Sequence, residues 1–142
     1  MVDLREADGS LFRILEGDVA QKSDTGGLFE VGADDLEDAQ RRCVERLLSA
    51  TGPMFGSKMR RAGGAVGELE RAVLEEVGVA WEGLAAFSKL GEGTRRSLRL
   101  LVSELTWENS SEGLLVRFVL PKGGYATTVL SRVCRCVDPH RT

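Results

Sequence analysis

Residues 114–120, Leu-Leu-Val-Arg-Phe-Val-Leu, place the tightest constraint on what this chain can fold into. Leu114, Val116, Phe118 and Leu120 alternate with Leu115, Arg117 and Val119, the period of an extended strand. The polar break Glu-Asn-Ser-Ser-Glu-Gly before it, at residues 108–113, suits a hairpin turn back to residues 101–107. A strand this apolar has to be covered, yet the rest of the sequence offers few further strands beside it. The hairpin reads as the edge of a larger sheet. After it come Pro121, Lys122, Gly123 and Gly124, then the chain's single tyrosine, Tyr125, and a short segment of helical character.

The remaining elements follow from local pattern. Residues 11–31 read as short strands separated by the turn signals Glu-Gly-Asp and Ser-Asp-Thr-Gly-Gly. Residues 33–52 predict a helix capped by Asp34 or Asp35, with Leu36, Ala39, Cys43 and Leu47 on its apolar face and Gly52-Pro53 as its stop. A glycine-rich loop follows, with Met54 and Phe55 exposed and a basic cluster of Lys58, Arg60 and Arg61. Val66, Leu69, Val73 and Val77 predict a second amphipathic helix that stops at Gly78. A shorter helical piece covers residues 80–91, and residues 91–121 read as extended chain.

A chain of 142 residues, 42% hydrophobic, has room for one small domain, and its 6% aromatic content requires a mainly aliphatic core. The net charge of -3 is uneven. Residues 1–112 carry 14 basic and 21 acidic side chains, residues 113–142 carry 5 and 1. A basic end on an acidic body suits phosphate, and it also suits an ordinary solvated tail. Three cysteines, Cys43, Cys134 and Cys136, with no secretory leader, point to a reducing, cytoplasmic setting. One Cys-x-Cys pair and one histidine, His140, make a zinc site improbable. No apolar run approaches the roughly 20 residues of a membrane span. There is no Gly-x-Ser-x-Gly elbow, P-loop or His-Glu-x-x-His. The many carboxylates fall mostly on helix faces, where solvated surface groups are expected.

Four motifs in fixed order carry a family resemblance. They are Gly17-Asp18-Val19-Ala20-Gln21; Gly-Pro-Met-Phe-Gly at residues 52–56, followed by Ser-Lys-Met-Arg-Arg; Gly93-Thr94-Arg95-Arg96 with Arg99 beyond; and a strand ending in Leu-Pro-Lys-Gly-Gly-Tyr-Ala-Thr at residues 120–127. Together, over about residues 11–133, they resemble the C-terminal half of the TruD family of tRNA pseudouridine synthases. The resemblance implies an α+β chain with a partial pseudouridine-synthase fold. Residues 1–100 would match the later part of the family's inserted domain. Residues 101–142 would match the terminal strands and helix of the catalytic sheet. The implied activity is conversion of uridine to pseudouridine at the thirteenth position of tRNA, without cofactor or metal, in the cytoplasm.

By the same resemblance, Tyr125 occupies the position of an aromatic residue that packs against the target uridine, which suits base flipping: an extruded base regains stacking on a ring. Gly123 and Gly124 would let the backbone turn sharply and approach the substrate. Lys58, Arg60, Arg61, Arg96 and Lys122 are the candidates for RNA-backbone contacts. Several departures accompany the match. Gly124 stands where the family pattern has serine, and Leu-Ser-Arg-Val at residues 130–133 replaces Leu-Arg-Glu-Leu. The family's nucleophilic aspartate lies in a Gly-x-Lys-Asp motif, and no Lys-Asp dipeptide occurs in this sequence. The Asn-x-Phe and Tyr-Phe-Gly-x-Gln-Arg-Phe-Gly motifs are missing too. The nearest substitute, Asp24 in Gln-Lys-Ser-Asp, lies in a turn. No residue is therefore assigned as catalytic. The chain is expected to be inactive without an aspartate-bearing N-terminal half, which a separate chain could supply. The other reading is a non-catalytic RNA-binding or protein-interaction module derived from the family.

Overall fold

Val19–Lys22 (β1) and Leu28–Glu30 (β2) form an antiparallel hairpin with Ala20 opposite Phe29. Its turn closes through the Lys22 carbonyl, which accepts from Gly26 N–H, and through Asp24, whose carboxylate accepts from Thr25 N–H. The computed structural model describes residues 13–87 and 91–133. Cys134, Cys136, His140 and the start of the expected first strand lie outside the described residues. Residues 13–15 are not part of a strand. The chain divides into two compact units, Met1–Arg99 and Leu100–Thr142.

The first unit departs from the sequence reading at its first helix. Leu36–Val44 (α1) is only nine residues long. Asp35 occupies the capping position without a side-chain cap bond. At the other end Arg46 takes a left-handed backbone, φ +65°. Arg46 N–H then donates to the Cys43 carbonyl and Leu47 N–H to the Arg42 carbonyl, the closing pattern of a Schellman turn. A non-glycine residue held in that conformation costs about 1–2 kcal/mol. Tertiary pairing offsets it, because Ser23 N–H donates to the Leu47 carbonyl and Ser23 Oγ to that of Arg46. Leu47 is consequently exposed, and Leu48–Met54 becomes β3 rather than helix and loop.

Strand β3 is central. It pairs antiparallel with β1 (Ala20 opposite Ala50) and with Thr94–Ser97, β4 (Gly52 opposite Arg96, Met54 opposite Thr94), giving the order β2-β1-β3-β4. Pro53 is tolerated within it. Leu98 N–H donates to the Ala50 carbonyl, so by alternation residues 52 and 54 bond to β4 and the Pro53 nitrogen faces the other flank, beyond the end of β1.

The sheet's two faces carry different chemistry. Ala20, Leu48 and Ala50 pack with Ala39 and Cys43 of α1, with Ile14 and Val31, and with the partly buried Leu98. Burial pushes the Cys43 thiol pKa up, so this cysteine is an inert core side chain. Residues of opposite parity, Val19, Thr51 and Arg95, point to the other face and are buried there. Gly64–Glu76 (α2) supplies Glu70 to that face. The buried line of α2 is Val66, Glu70 and Leu74, and Val77, expected on the apolar face, is 71% exposed. The apolar stripe is thus rotated and contains a carboxylate. The helix ends as predicted at Gly78, with Val79 N–H donating to the Leu74 carbonyl and Gly78 N–H to that of Glu75. Met59, Leu74 and Trp81 form a second small core, capped by a 3-10 helix at Trp81–Phe87.

The second unit contains Ser103–Ser110 (β5), Gly113–Val119 (β6) and Ala126–Val133 (α3). The hairpin turns at Ser111-Glu112 as the sequence implies, with Ser110 opposite Gly113. Arg117 pairs with Glu108 at 2.9 Å. Trp107 lies opposite Val116 and Asn109 opposite Leu114, so Trp107, Leu114, Val116 and Phe118 share one face. None of the described residues of this unit is buried. Its Trp107 and Leu114 are 68% and 62% exposed.

Candidate functional site

Three of the four motifs picked out in the sequence are brought together in the first unit, on neighbouring strands. Gly17-Asp18 leads into β1. Asp18 is fully buried and its Oδ2 accepts from Leu15 N–H at 2.8 Å, which closes the turn before the strand. The Gly17 carbonyl accepts from Gly63 N–H, which fixes the entry to α2. Gly-Pro-Met-Phe-Gly runs along the end of β3, and Gly-Thr-Arg-Arg runs antiparallel beside it as β4. Where the two leave the sheet, Gly56 and Gly93 touch backbone to backbone. A Cβ on Gly56 would lie 2.2 Å from the Gly93 nitrogen. Gly56→Ala must therefore push the two strand ends apart, and an overpacking cost of about 1–3 kcal/mol is expected, read as a lower thermal midpoint. An unchanged midpoint would mean that the strand ends separate without penalty.

The basic candidates do not form one cluster. Lys58 pairs with Glu92, both exposed. Arg60 Nη1 donates to the Leu28 carbonyl at 2.5 Å. The Arg61 guanidinium lies 4.9 Å from the Trp81 ring centroid, a cation–π contact, and Phe55 meets the same indole edge-on at 5.8 Å. Phe55 is thus half-buried, not exposed as the sequence suggested, whereas Met54 is exposed. Arg96 is exposed, and strand alternation turns it to the opposite sheet face from Arg95. A groove of about 390 Å³ lies beside this loop, lined by Arg61, Gly64, Glu68, Arg71 and Trp81 among others.

Glu70 and Arg95 were missed from sequence. Arg95 donates Nη2 to Glu70 Oε1 at 2.7 Å and Nη1 to Oε2 at 2.8 Å, a bidentate pair with both side chains 0% exposed. Arg95 Nε also donates to Thr51 Oγ1, Nη2 to the Thr51 carbonyl and Nη1 to the Arg60 carbonyl. The available signal was the placement of Glu70 four residues after Val66 and four before Leu74, inside an apolar stripe.

In the second unit, residues 121–124 form a turn in which Gly124 N–H donates to the Pro121 carbonyl at 2.9 Å. Gly123, at φ +87°, is its third residue, the type II position that glycine favours. A Cβ on Gly124 would meet Leu100 Cδ1 at 3.0 Å and the Pro121 oxygen at 3.1 Å, so the serine of the family pattern would need those neighbours to give. Lys122 is exposed in the turn. The Tyr125 carbonyl accepts the first N–H groups of α3, from Thr128 and Val129, and its side chain is 64% exposed. The ring is open to a partner.

Asp24 is fully exposed and its carboxyl is held below the ordinary value, chiefly by the Thr25 backbone N–H. It is an ionised turn carboxylate, and Asp18 is closed inside its own turn. Among the described residues no group of three His, Cys, Asp or Glu side chains could hold a metal ion, and no helix is long and apolar enough to cross a membrane.

The family model for tRNA pseudouridine synthase D (TruD) matches residues 1–133. The chain belongs to the TruD family. It is 43% identical over 135 residues to the tRNA pseudouridine synthase D of Anaeromyxobacter dehalogenans, covering 92% of this chain and 37% of that protein. The corresponding protein of Thermus thermophilus is 40% identical over 134 residues, with 94% and 36% covered. The crystal structure of the TruD protein from Methanosarcina mazei superposes with a TM-score of 0.72 at 30% identity, over 91% of this chain and 33% of that one. The α+β fold is therefore that of part of a TruD protein, and the chain spans a little over a third of the length of those curated relatives. Within it, the TruD motifs of the first unit build the β1-β3-β4 scaffold, while the last motif forms the turn that leads to Tyr125.

Proposed function

We propose that this chain supplies two parts of a tRNA pseudouridine synthase: the later portion of a TruD-type inserted domain, residues 1–100, and the returning hairpin and helix of the catalytic sheet, residues 101–142. The observation that carries this reading is the apolar face of Trp107, Leu114, Val116 and Phe118, in which Trp107 and Leu114 are exposed and Val116 and Phe118 only half-buried, and which a completed sheet would bury. The relatives' greater length supports it. The activity is isomerisation of uridine at the thirteenth position of a cytoplasmic tRNA. The aspartate comes from a Gly-x-Lys-Asp segment that these residues do not contain. This chain's own part is to hold RNA. Tyr125 stacks on the extruded uracil, Gly123 and Gly124 shape the turn beside it, and Lys58, Arg60, Arg61, Arg96 and Lys122 meet phosphate.

Pseudouridine assay with and without an added aspartate-bearing segment tests the reading. The chain alone is expected to convert none of the target, and conversion is expected to appear when the segment is supplied. Conversion by the chain alone would overturn the assignment of no catalytic residue. Binding across a salt series separates the two kinds of contact. Replacing a phosphate-contacting lysine or arginine should flatten the salt slope by up to about 1 unit. Tyr125→Ala should weaken binding by roughly 1–3 kcal/mol with the slope unchanged, and Tyr125→Phe should be nearly silent. If Tyr125→Ala lowers the melting temperature and leaves affinity per folded molecule untouched, the ring is scaffold.

A second reading rests on the first unit, which holds every buried apolar side chain described. Such a unit could act as a non-catalytic RNA-binding module. Salt-dependent tRNA binding that persists while the added segment restores no activity would favour it.

A further inference from the structure

We propose that the buried Glu70–Arg95 pair is the positioning element of the basic loop, residues 55–63, setting where Lys58, Arg60 and Arg61 present their charges. The inference rests on the RNA-binding reading above for its purpose, though not for its geometry.

The loop has little regular structure of its own to hold it. It leaves β3 after Met54 and enters α2 at Gly64. Its ends are held by the Gly56–Gly93 contact, by Phe55 against Trp81 and by the bond from Gly63 N–H to the Gly17 carbonyl. Lys58 N–H donates to the Glu92 carbonyl, and Met59, 7% exposed, sits in the second core. At Arg60 the backbone carbonyl is held by Arg95 Nη1 at 3.3 Å. That is the point from which the Arg60 and Arg61 side chains diverge, one to the Leu28 carbonyl and one over Trp81.

Arg95 can hold that carbonyl only because its fork is itself fixed. Glu70 takes two of its N–H groups and Thr51 takes two more, through its hydroxyl and its carbonyl. Thr51 is in the central strand, Arg95 in the edge strand and Glu70 in the helix that follows the loop. One planar guanidinium therefore ties together β3, β4, α2 and the loop. A lysine offers a point charge without the fork and cannot make these bonds together. Two exposed arginines anchored through one backbone point form a preorganised phosphate surface, and a loop freed at that point would have to be ordered again on binding.

Trypsin reports directly on this loop, because Lys58, Arg60 and Arg61 are all cleavage sites. Cleavage of a transiently opened segment tracks its open population when closing is fast. Arg95→Lys and Glu70→Gln should each raise cleavage at residues 58–61 by about tenfold or more, well below the variant's melting temperature, relative to cleavage at Arg41 and Arg42 of α1, which reports opening of the whole first unit. Each variant suffices for the test if the other does not fold. tRNA affinity per folded molecule should fall by about tenfold in the same variants at fixed salt. Loop cleavage that stays at the wild-type rate in a folded variant overturns the proposal, even if the melting temperature drops. So does increased cleavage with unchanged tRNA affinity. If the wild-type chain has no tRNA affinity, the RNA-binding reading fails, and the positioning claim is judged on the cleavage result alone.

Discussion

Glu70→Ala is expected to destabilise the first unit by about 3–5 kcal/mol, enough to unfold a marginal domain at ordinary temperature. The cost arises because Arg95 would remain inside, fully desolvated and charged, without its carboxylate. Arg95→Ala should cost at least as much. It strands the Glu70 carboxylate and also removes the donors to Thr51 and to the Arg60 carbonyl. Replacing a buried ion pair by apolar residues of similar volume is often neutral elsewhere. Here the double variant Glu70→Leu, Arg95→Met should remain destabilised, because the Thr51 hydroxyl and two carbonyls would keep no Arg95 donor. Equilibrium urea unfolding of the three variants gives the comparison. A double variant as stable as wild type would show that the backbone bonds of Arg95 contribute little, and a small loss in both single variants would show that water reaches the pair. Surface pairs supply the contrast. Arg41 bridges Asp38 and Glu45 in exposed positions, and removing it should leave the urea midpoint nearly unchanged.

The second large effect concerns the second unit. Its hairpin should unfold apart from the first unit, or associate with other copies as concentration rises. A two-stranded hairpin is at best marginally stable in water. Fully burying a large apolar side chain is worth about 1.5–3 kcal/mol, and the exposed Trp107 and Leu114 forgo most of that. The two tryptophans are divided between the units, Trp81 buried in the first and Trp107 exposed in the second. Trp81→Phe and Trp107→Phe each leave a single reporter. The Trp81 reporter should show a sharp cooperative urea transition. Emission from Trp107 should be that of a wet indole in dilute solution, with a shallow response to urea, and should shift blue with concentration or on addition of the aspartate-bearing segment. Coincident transitions from both reporters in a strict monomer would mean that the hairpin is covered and stable within this chain.

Two kinds of feature were fixed by the chain itself. The hairpin of residues 103–119 follows from alternation and a polar turn, and α2 follows from a helical period closed at Gly78; both signals are local. The order and spacing of four motifs likewise carried the family. What sequence could not supply were contacts between residues far apart in the chain. Leu47 continues the period of α1, so the helix looked longer than it is, and Pro53 looked like its stop. The chain leaves the helix at Arg46 because residues 48–50 gain a partner in β1, some 25–30 residues earlier. Period alone has no term for that gain. Glu70 looked like a surface carboxylate for the same reason: its partner lies 25 residues ahead, in a strand. The neighbouring arginines of Gly-Thr-Arg-Arg show the limit most plainly. In sequence Arg95 and Arg96 are indistinguishable charges. Strand geometry sends one into a dry network and the other to solvent, and only the sheet's position against α2 decides which.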